Sequence, residues 1–439
     1  MDKIGIISLG CPRNLVDSEV MIGLLKKEGY RIVDEVADSD IAIVNTCAFI
    51  KDATDESLDT IFGLIDLKKK KKIRHIIVAG CLTQRYREAL KDELKEIDGF
   101  IGTGDLMNID FIINSIKDRP FVVSKEPKFI YDERCERDLI TPGHFVYIKI
   151  QEGCGNRCSY CVIPDLRGDL RSRPVESIKN EIISLSRGRE MSELNIIGQD
   201  TTLYGKDLYK AKSTARLLRE IAALGKAKWI RLLYTHPAHW TDELIATIIE
   251  ERSICRYIDL PIQHINDSML KKMNRKTTSK SICSLIEKLR KRIPGLAIRS
   301  TVIVGFPGET EEHFRELLDF IKKVRFERLG TFIYSNEEGA PSYAFKDQIP
   351  EDIKNERLDR IMRLQQDISR EYNKAFLGKT LEVLVDEKDD KGVFMGRTEF
   401  DAPSVDGGVF LKGKDLKVGS FVRAKIVDTL EYDLVGEVA

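Results

Sequence analysis

Most of this chain repeats one rhythm: a short apolar run, a turn, then an amphipathic helical stretch. That alternation limits the fold more than any other feature, because strands joined by helical crossovers must lie parallel. The first series places strands at Lys3–Leu9, Ile41–Val44 and His75–Ala79. Helices are expected over Leu15–Lys27, from about Asp52 to Lys69, and from about Gln84. These elements predict a parallel sheet with helices on both faces. The lysine run at 68–72 reads as a solvated helix end, where cations suit the dipole. From Arg119 to Pro142 three prolines and many charges show no period, which predicts a linker.

A second series starts at Phe145–Ile150. It continues through Leu194–Ile197, Trp229–Tyr234, Arg256–Leu260, Ile298–Val304 and Arg328–Tyr334. Six such units in about 190 residues predict a complete or partial barrel. A long charged helix at about 351–376 leads out. The tail, Gly378–Ala439, has short strand-like runs between Gly and Asp turns, the pattern of a small β-barrel. The fold class expected is α/β multidomain: a parallel αβα domain (1–118), a linker (119–140), a (β/α) partial barrel (141–370) and an all-β tail domain (374–439).

A chain of 439 residues exceeds one ordinary core. Acidic and basic residues balance at 71 each, so no global positive field draws the protein to nucleic acid. No apolar run reaches the roughly 18 residues of a membrane helix. The segment Met1–Gly10 lacks a secretory cleavage pattern. A cytoplasmic protein with no membrane partner is expected. Nine cysteines in a long intracellular chain then point to metal binding or catalysis, not disulfides.

Six of the nine form two sets. Cys154, Cys158 and Cys161 stand at C-x3-C-x2-C spacing in a loop after a strand, where barrel active sites sit. Three thiolates at that spacing can hold three irons of a 4Fe–4S cube and leave the fourth open to a small ligand. A zinc site with a fourth ligand elsewhere is the alternative reading. Cys11, Cys47 and Cys81 lie far apart, but each follows an apolar strand directly, 36 and 34 positions apart. Strand ends of a parallel sheet share one edge, so these thiols can also converge as a second open-iron site. Cys135, Cys255 and Cys283 have no partner spacing and read as ordinary core or linker residues.

The Cys154–Cys161 loop, with the aromatic Tyr160 before its last cysteine, closely resembles the radical S-adenosylmethionine superfamily. That resemblance implies a reduced cluster that cleaves S-adenosylmethionine to a 5′-deoxyadenosyl radical, which takes hydrogen from an unactivated carbon. It also implies an external electron donor and a dry pocket. With the second triplet, the whole chain resembles the methylthiotransferase family, including the C-terminal TRAM domain. In that family the second cluster carries the sulfur, so two 4Fe–4S clusters and S-adenosylmethionine are the implied cofactors. Tyr160, Gln199 (in Ile197–Asp200), Arg299 and Gly305 (in the loop from Thr301 to Glu309) are the candidate cofactor contacts. Arg167, Arg171 and Arg173 could grip a carboxylate or serve structure.

Three segments resemble the RimO branch of the family, which modifies an aspartate of the twelfth small-subunit ribosomal protein. They are Leu9–Ser18, Leu260–Asp267 with His264, and Gly396–Gly407. From Phe376 onward there are nine basic and thirteen acidic residues, a net charge of −4. An acidic tail suits a basic protein partner better than phosphates. A tRNA adenosine, the MiaB-like acceptor, is the alternative. The sulfur source is not legible in the sequence.

Overall fold

The computed structural model describes residues 2–438. The first domain comprises β1 (Lys3–Ser8), α1 (Pro12–Lys27), β2 (Arg31–Val33), β3 (Ile41–Thr46), α2 (Lys51–Lys69), β4 (His75–Gly80), α3 (Cys81–Glu93), β5 (Gly99–Ile101), α4 (Ile109–Asn114) and β6 (Phe121–Val122). Its six strands pair in the order β2-β1-β3-β4-β5-β6, all parallel. Period-2 alternation sends successive residues of each strand to opposite cores. Ala42, Val44, Ile76 and Val78 pack with α2 and α3, through Ile61, Leu64 and Leu82. Ile41, Ile43, Ile77 and Ala79 pack with α1 and α4, through Met21, Leu25, Ile109 and Ile112. The strand order reverses between β1 and β3, which opens a crevice at their C-terminal ends.

The segment expected to be a linker begins with structure. β6, inside 119–140, is the sixth strand of the sheet and pairs with β5. A two-residue strand is too short to show a period.

The second domain runs through β7 (Phe145–Lys149), β8 (Gln151–Glu152), α5 (Ile163–Arg167), β9 (Arg171–Ser172), α6 (Val175–Leu185), β10 (Glu193–Ile197), α7 (Thr214–Ala223), β11 (Trp229–Leu232), α8 (Asp242–Glu250) and β12 (Tyr257–Asp259). It continues with α9 (Asp267–Lys272), α10 (Ser279–Arg292), β13 (Ala297–Val304), α11 (Glu311–Val324), β14 (Arg328–Ile333) and α12 (Glu351–Lys374). Six parallel strands form two ladders, β7-β10-β11 and β12-β13-β14. The bridge between Ile230 and Ile254 joins them. The barrel is therefore partial, with β7 and β14 as its edges. Its apolar strand residues pack against α6, α7, α8, α10, α11 and α12 in one core. No helix among the described residues is long and apolar enough to cross a membrane.

The tail closes into a five-stranded barrel of β15 (Thr380–Lys388), β16 (Phe394–Arg397), β17 (Val409–Lys412), β18 (Phe421–Thr429) and β19 (Leu434–Val438). It docks on the N-terminal ends of the larger barrel's strands through buried charge. Glu193, fully buried on β10, accepts from Arg231 at 2.7 Å and forms an ion pair with Arg397 of the tail at 2.8 Å. Arg328 meets Asp401 at 2.6 Å, and Trp229 packs edge-on against Phe421.

Burial alone would raise the Glu193 pKa, but Arg397 and Arg231 together pull it below the usual carboxylate range. Asp386, beside His144 and Arg397, is also lowered. Groups depressed in this way stabilise the fold above their ordinary pKa and lose that effect as pH falls. The midpoint of thermal unfolding, followed by circular dichroism, should therefore drop progressively below about pH 4.3. Arg397→Met leaves Glu193 and Asp386 without their shared cation. It should cost about 3 kcal/mol or more in chemical denaturation at neutral pH.

Candidate active site between two cysteine triplets

The crevice of the first sheet positions three thiols. Cys11 is the N-cap of α1, Cys47 follows β3, and Cys81 is the first residue of α3. Gly10 permits the turn out of β1. Its φ is +81°, and a Cβ there would lie 2.5 Å from the Cys47 Cβ. Asn14 ties the strand ends together, donating to Thr46 O at 2.8 Å and Leu9 O at 3.1 Å. Two of the three cysteines thus stand at helix N-termini, which favour negative charge.

Their titration follows their neighbours. Burial pushes the Cys47 thiol up to about 12, helped by Cys81 and Cys11. Burial also raises Cys81, against the pull of Arg167, which donates to its Sγ at 3.5 Å. At Cys11 burial is outweighed by Arg13, whose Nε lies 3.5 Å from the sulfur, so this thiol sits below its ordinary value.

The second triplet lies in the loop after β8. Cys158 is buried, and Cys154 and Cys161 are half-buried. Burial raises Cys154 to about 11 and Cys161 to about 12. Arg13 also acts on Cys161, pulling it down. Arg13, which touches Cys11, thus adds positive charge to the field at Cys161 as well. It is held by Gly198 O at 2.9 Å and by the face of Tyr234, 4.5 Å from the ring centroid.

The donor sets suit clusters better than single ions. Around one zinc ion, with bonds of about 2.3 Å, ligating sulfurs must crowd within about 4 Å of one another. Among the described residues, the one group of three ligating side chains with all donor atoms within 4.8 Å is Asp200, His236 and His239. Neither cysteine triplet is that tight. Thiolates are soft donors of the kind that hold iron–sulfur clusters.

The Asp200 group does not behave as a cation site. Asn156 of the cysteine loop stands between its members: Nδ2 donates to Asp200 at 2.6 Å, and Oδ1 lies 2.8 Å from His239 Nε2. Burial, with Lys212 and Lys206, lowers His239 to about 4, so its neutral ring donates to Asn156. The trio braces the cysteine loop. The sequence reading missed both histidines, although they follow a barrel strand just as the cysteines do.

A charge network seals the two domains around the site. Asp17 of α1 accepts from Lys149 at 2.5 Å and from Arg167 at 2.6 Å. Glu152 accepts from Lys149 at 2.7 Å and lies 3.3 Å from Arg167. All four side chains are buried. Arg167 also donates to Asn14 at 2.5 Å. Of the three arginines singled out in the sequence, Arg167 thus reaches the site. Arg173 pairs with Glu181, and Arg171 binds the carbonyls of Asp169 and Arg167.

The cofactor candidates separate in the same way. Tyr160 packs against Met269, Met273, Phe306 and Tyr334 beside the loop. Gln199 donates to Glu152, and its Oε1 is buried without a partner. Arg299 is placed elsewhere, paired with Asp259 at 3.2 Å and with Asp406 of the tail at 3.4 Å. Gly305 has its N–H taken by Glu309, and a Cβ there would strike Lys354 at 2.3 Å. Packing of α12 is what requires that glycine. Unforeseen in the sequence, Arg275 is buried and lies 3.8 Å from Cys158 Sγ.

The sequence matches the "Uncharacterized protein family UPF0004" over residues 3–102, the Radical SAM superfamily over 148–321 and the TRAM domain over 377–439. It is 48% identical over 445 residues to the "Ribosomal protein uS12 methylthiotransferase RimO" of Desulforamulus reducens, covering 100% of both chains. Proteins of the same name from Caldanaerobacter subterraneus (48%, 100% of both chains) and Clostridioides difficile (46%, 100% of this chain and 99% of the relative) are similar along their length. Among solved structures, the radical S-adenosylmethionine methyltransferase TsrM of Kitasatospora setae shares the fold at a TM-score of 0.55. It has 15% identity, over 75% of this chain and 71% of that one. Nearly half of the residues are shared with the full-length relatives, and the chain belongs to the RimO methylthiotransferase family.

Proposed function

We propose that this chain attaches a methylthio group to the β-carbon of an aspartate in ribosomal protein uS12. The two three-thiol sets, linked through Arg167, which follows the second and donates to Cys81 of the first at 3.5 Å, carry the reading, and the relatives' name supplies the acceptor. Radical SAM membership brings S-adenosylmethionine and one 4Fe–4S cluster. In our reading Cys154, Cys158 and Cys161 would hold that cluster, and Cys11, Cys47 and Cys81 a second. When bound, these groups supply the electron that splits S-adenosylmethionine, the radical that takes hydrogen from the acceptor carbon, and the sulfur delivered there.

The chain's own residues fix where this happens. Arg13 sets positive charge beside Cys11 and is itself immobilised by Tyr234 and Gly198. The Asp17, Lys149, Arg167 and Glu152 network excludes water from the seam and holds the triplets in one register. Gln199, with an unsatisfied buried oxygen, and Tyr160 are the residues we assign to S-adenosylmethionine. An external one-electron donor and a sulfur source complete the reaction. For tRNA as acceptor, no observation speaks. The tail's acidic excess is partly spent on docking, since Asp386, Asp401 and Asp406 face arginines of this same chain.

Mass spectrometry of small-subunit proteins from cells with and without this gene tests the acceptor. A methylthio increment on uS12 is expected, lost on deletion. An unchanged uS12 sinks the assignment and turns attention to tRNA nucleosides. Two variants test the division of labour. Cys158→Ala should abolish reductive formation of 5′-deoxyadenosine, whereas Cys47→Ala should retain it and lose sulfur transfer. Equal loss in both would refute the two-site reading. Arg13→Ala should lower methylthio transfer about 10- to 100-fold, as for residues that orient metal ligands. Iron content should change little, which elemental analysis checks.

A further inference from the structure

β14 is an edge of the partial barrel, with no strand beyond it. The N–H of Tyr334 donates to Val304 O at 2.9 Å, which fixes the alternation along the ladder. Gly330, Phe332 and Tyr334 turn their peptide groups toward β13, so Leu329, Thr331 and Ile333 turn theirs outward. No backbone group among the described residues bonds to those outward positions. The strand has neither the lysine nor the proline that often guards an edge. Thr331 Oγ1 is also buried without a partner.

This edge opens into a cavity of about 970 Å³ between the barrel and the first domain. Its other wall is the chain that follows Cys47 and Cys81, with Lys51 at the start of α2 and Arg85 on α3. Polar bonds clasp that wall to the segment after β14. Glu337 accepts from the Lys51 N–H at 2.8 Å, and Arg85 donates to Ala48 O at 2.8 Å and to Glu338 O at 2.9 Å. Five acidic and three basic side chains line the cavity. Each cation is matched within the chain: Lys51 by Asp55 at 2.9 Å, Arg85 by Glu337 at 2.7 Å and Lys354 by Glu351 at 2.6 Å. Asp52 and Glu338 are left over, both exposed and without an ion pair among the described residues. Phe332 and Tyr343, each half exposed, line the same cavity.

We propose that this groove seats an extended, basic segment of the acceptor protein, added along the outer edge of β14. The proposal rests on the reading of uS12 as acceptor and names the surface that recognises it. An added segment bonds through its backbone to the outward groups of Leu329, Thr331 and Ile333, which any extended chain can do. Selection comes from the side chains. Arginine or lysine pairs with Asp52 and Glu338 and stacks on the aromatic rings of the groove. A protein that lies against ribosomal phosphates is rich in both. Nucleic acid itself is disfavoured, because its phosphates meet the two unmatched carboxylates. A segment held here is anchored beside the loop that follows Cys47.

The test uses anaerobically reconstituted full-length enzyme and purified uS12. Asp52→Lys combined with Glu338→Lys should raise KM for uS12 about 10-fold at low salt, with kcat little changed. The difference should shrink near 1 M salt, where the screening length is about 3 Å. Release of 5′-deoxyadenosine without acceptor should be unchanged, which shows that the fold and the cysteine loop are intact. The charge-preserving pair Asp52→Glu and Glu338→Asp should match the parent. Thr331→Pro removes one outward N–H and leaves the bonds to β13 in place, so it should raise KM as well. An unchanged KM in either variant overturns the proposal, and so does an equal fall in acceptor-free cleavage. If the charge-reversed pair keeps its KM but alters the sedimentation of the free enzyme, the groove holds a second copy of the chain and the proposal fails. A parent enzyme that leaves uS12 unmodified sinks the acceptor reading itself, separately from the groove.

Discussion

The site depends on a buried four-charge cluster, Asp17, Glu152, Lys149 and Arg167, at the seam between the first sheet and the barrel. The charges balance two against two, so the desolvation each one suffers is returned only when all four are in place. Apolar packing of the same volume would hold the domains at least as firmly. What the charges add is a single register. Arg167 finds Asp17, Glu152, Asn14 and Cys81 together in only one docking of α1 on the barrel. That docking sets Arg13 beside Cys11 and against Gly198 and Tyr234 of the barrel. Loss of any one partner strands the others at a cost of about 3–5 kcal/mol, and the thiols lose their alignment along with the stability.

The same device recurs at the other end of the barrel with a different outcome. Arg231 of β11 meets Glu193 of β10, and Arg299 of β13 and Arg328 of β14 meet Asp406 and Asp401 of the tail. Two acidic side chains of the tail thus help to close the bottom of the barrel. Net charge counted along a sequence overstates what such a domain offers a partner, because the count includes groups already neutralised within the chain.

This explains which parts of the protein were legible in its sequence. Strand–helix alternation and cysteines at strand ends are local patterns, so the parallel sheet, the partial barrel, the tail barrel and both triplets could be read directly. The pairing of Arg299 with Asp406, far along the chain, is invisible to any local pattern. The packing of Lys354 over Gly305 is equally hidden, because a helix legible in sequence does not say which glycine it will cover. His236 and His239 were legible in principle. They stand after β11 as Cys11 stands after β1, and the same strand-end rule would have found them.

A radical enzyme has two opposed needs, to keep water and partners from its reactive intermediate and to let electrons in. The cysteine loop meets both because it is thin. Toward the first domain it leads through α5 to Arg167, which meets Cys81 and the sealed charge network. Its outer side carries Gly155 and Arg157 into solvent. Between the two sides, Asn156 is pinned to Asp200 and His239, and Arg275 is pinned to Pro261 O and Cys158. The loop therefore behaves as a rigid wall with one polar and accessible face and one enclosed face.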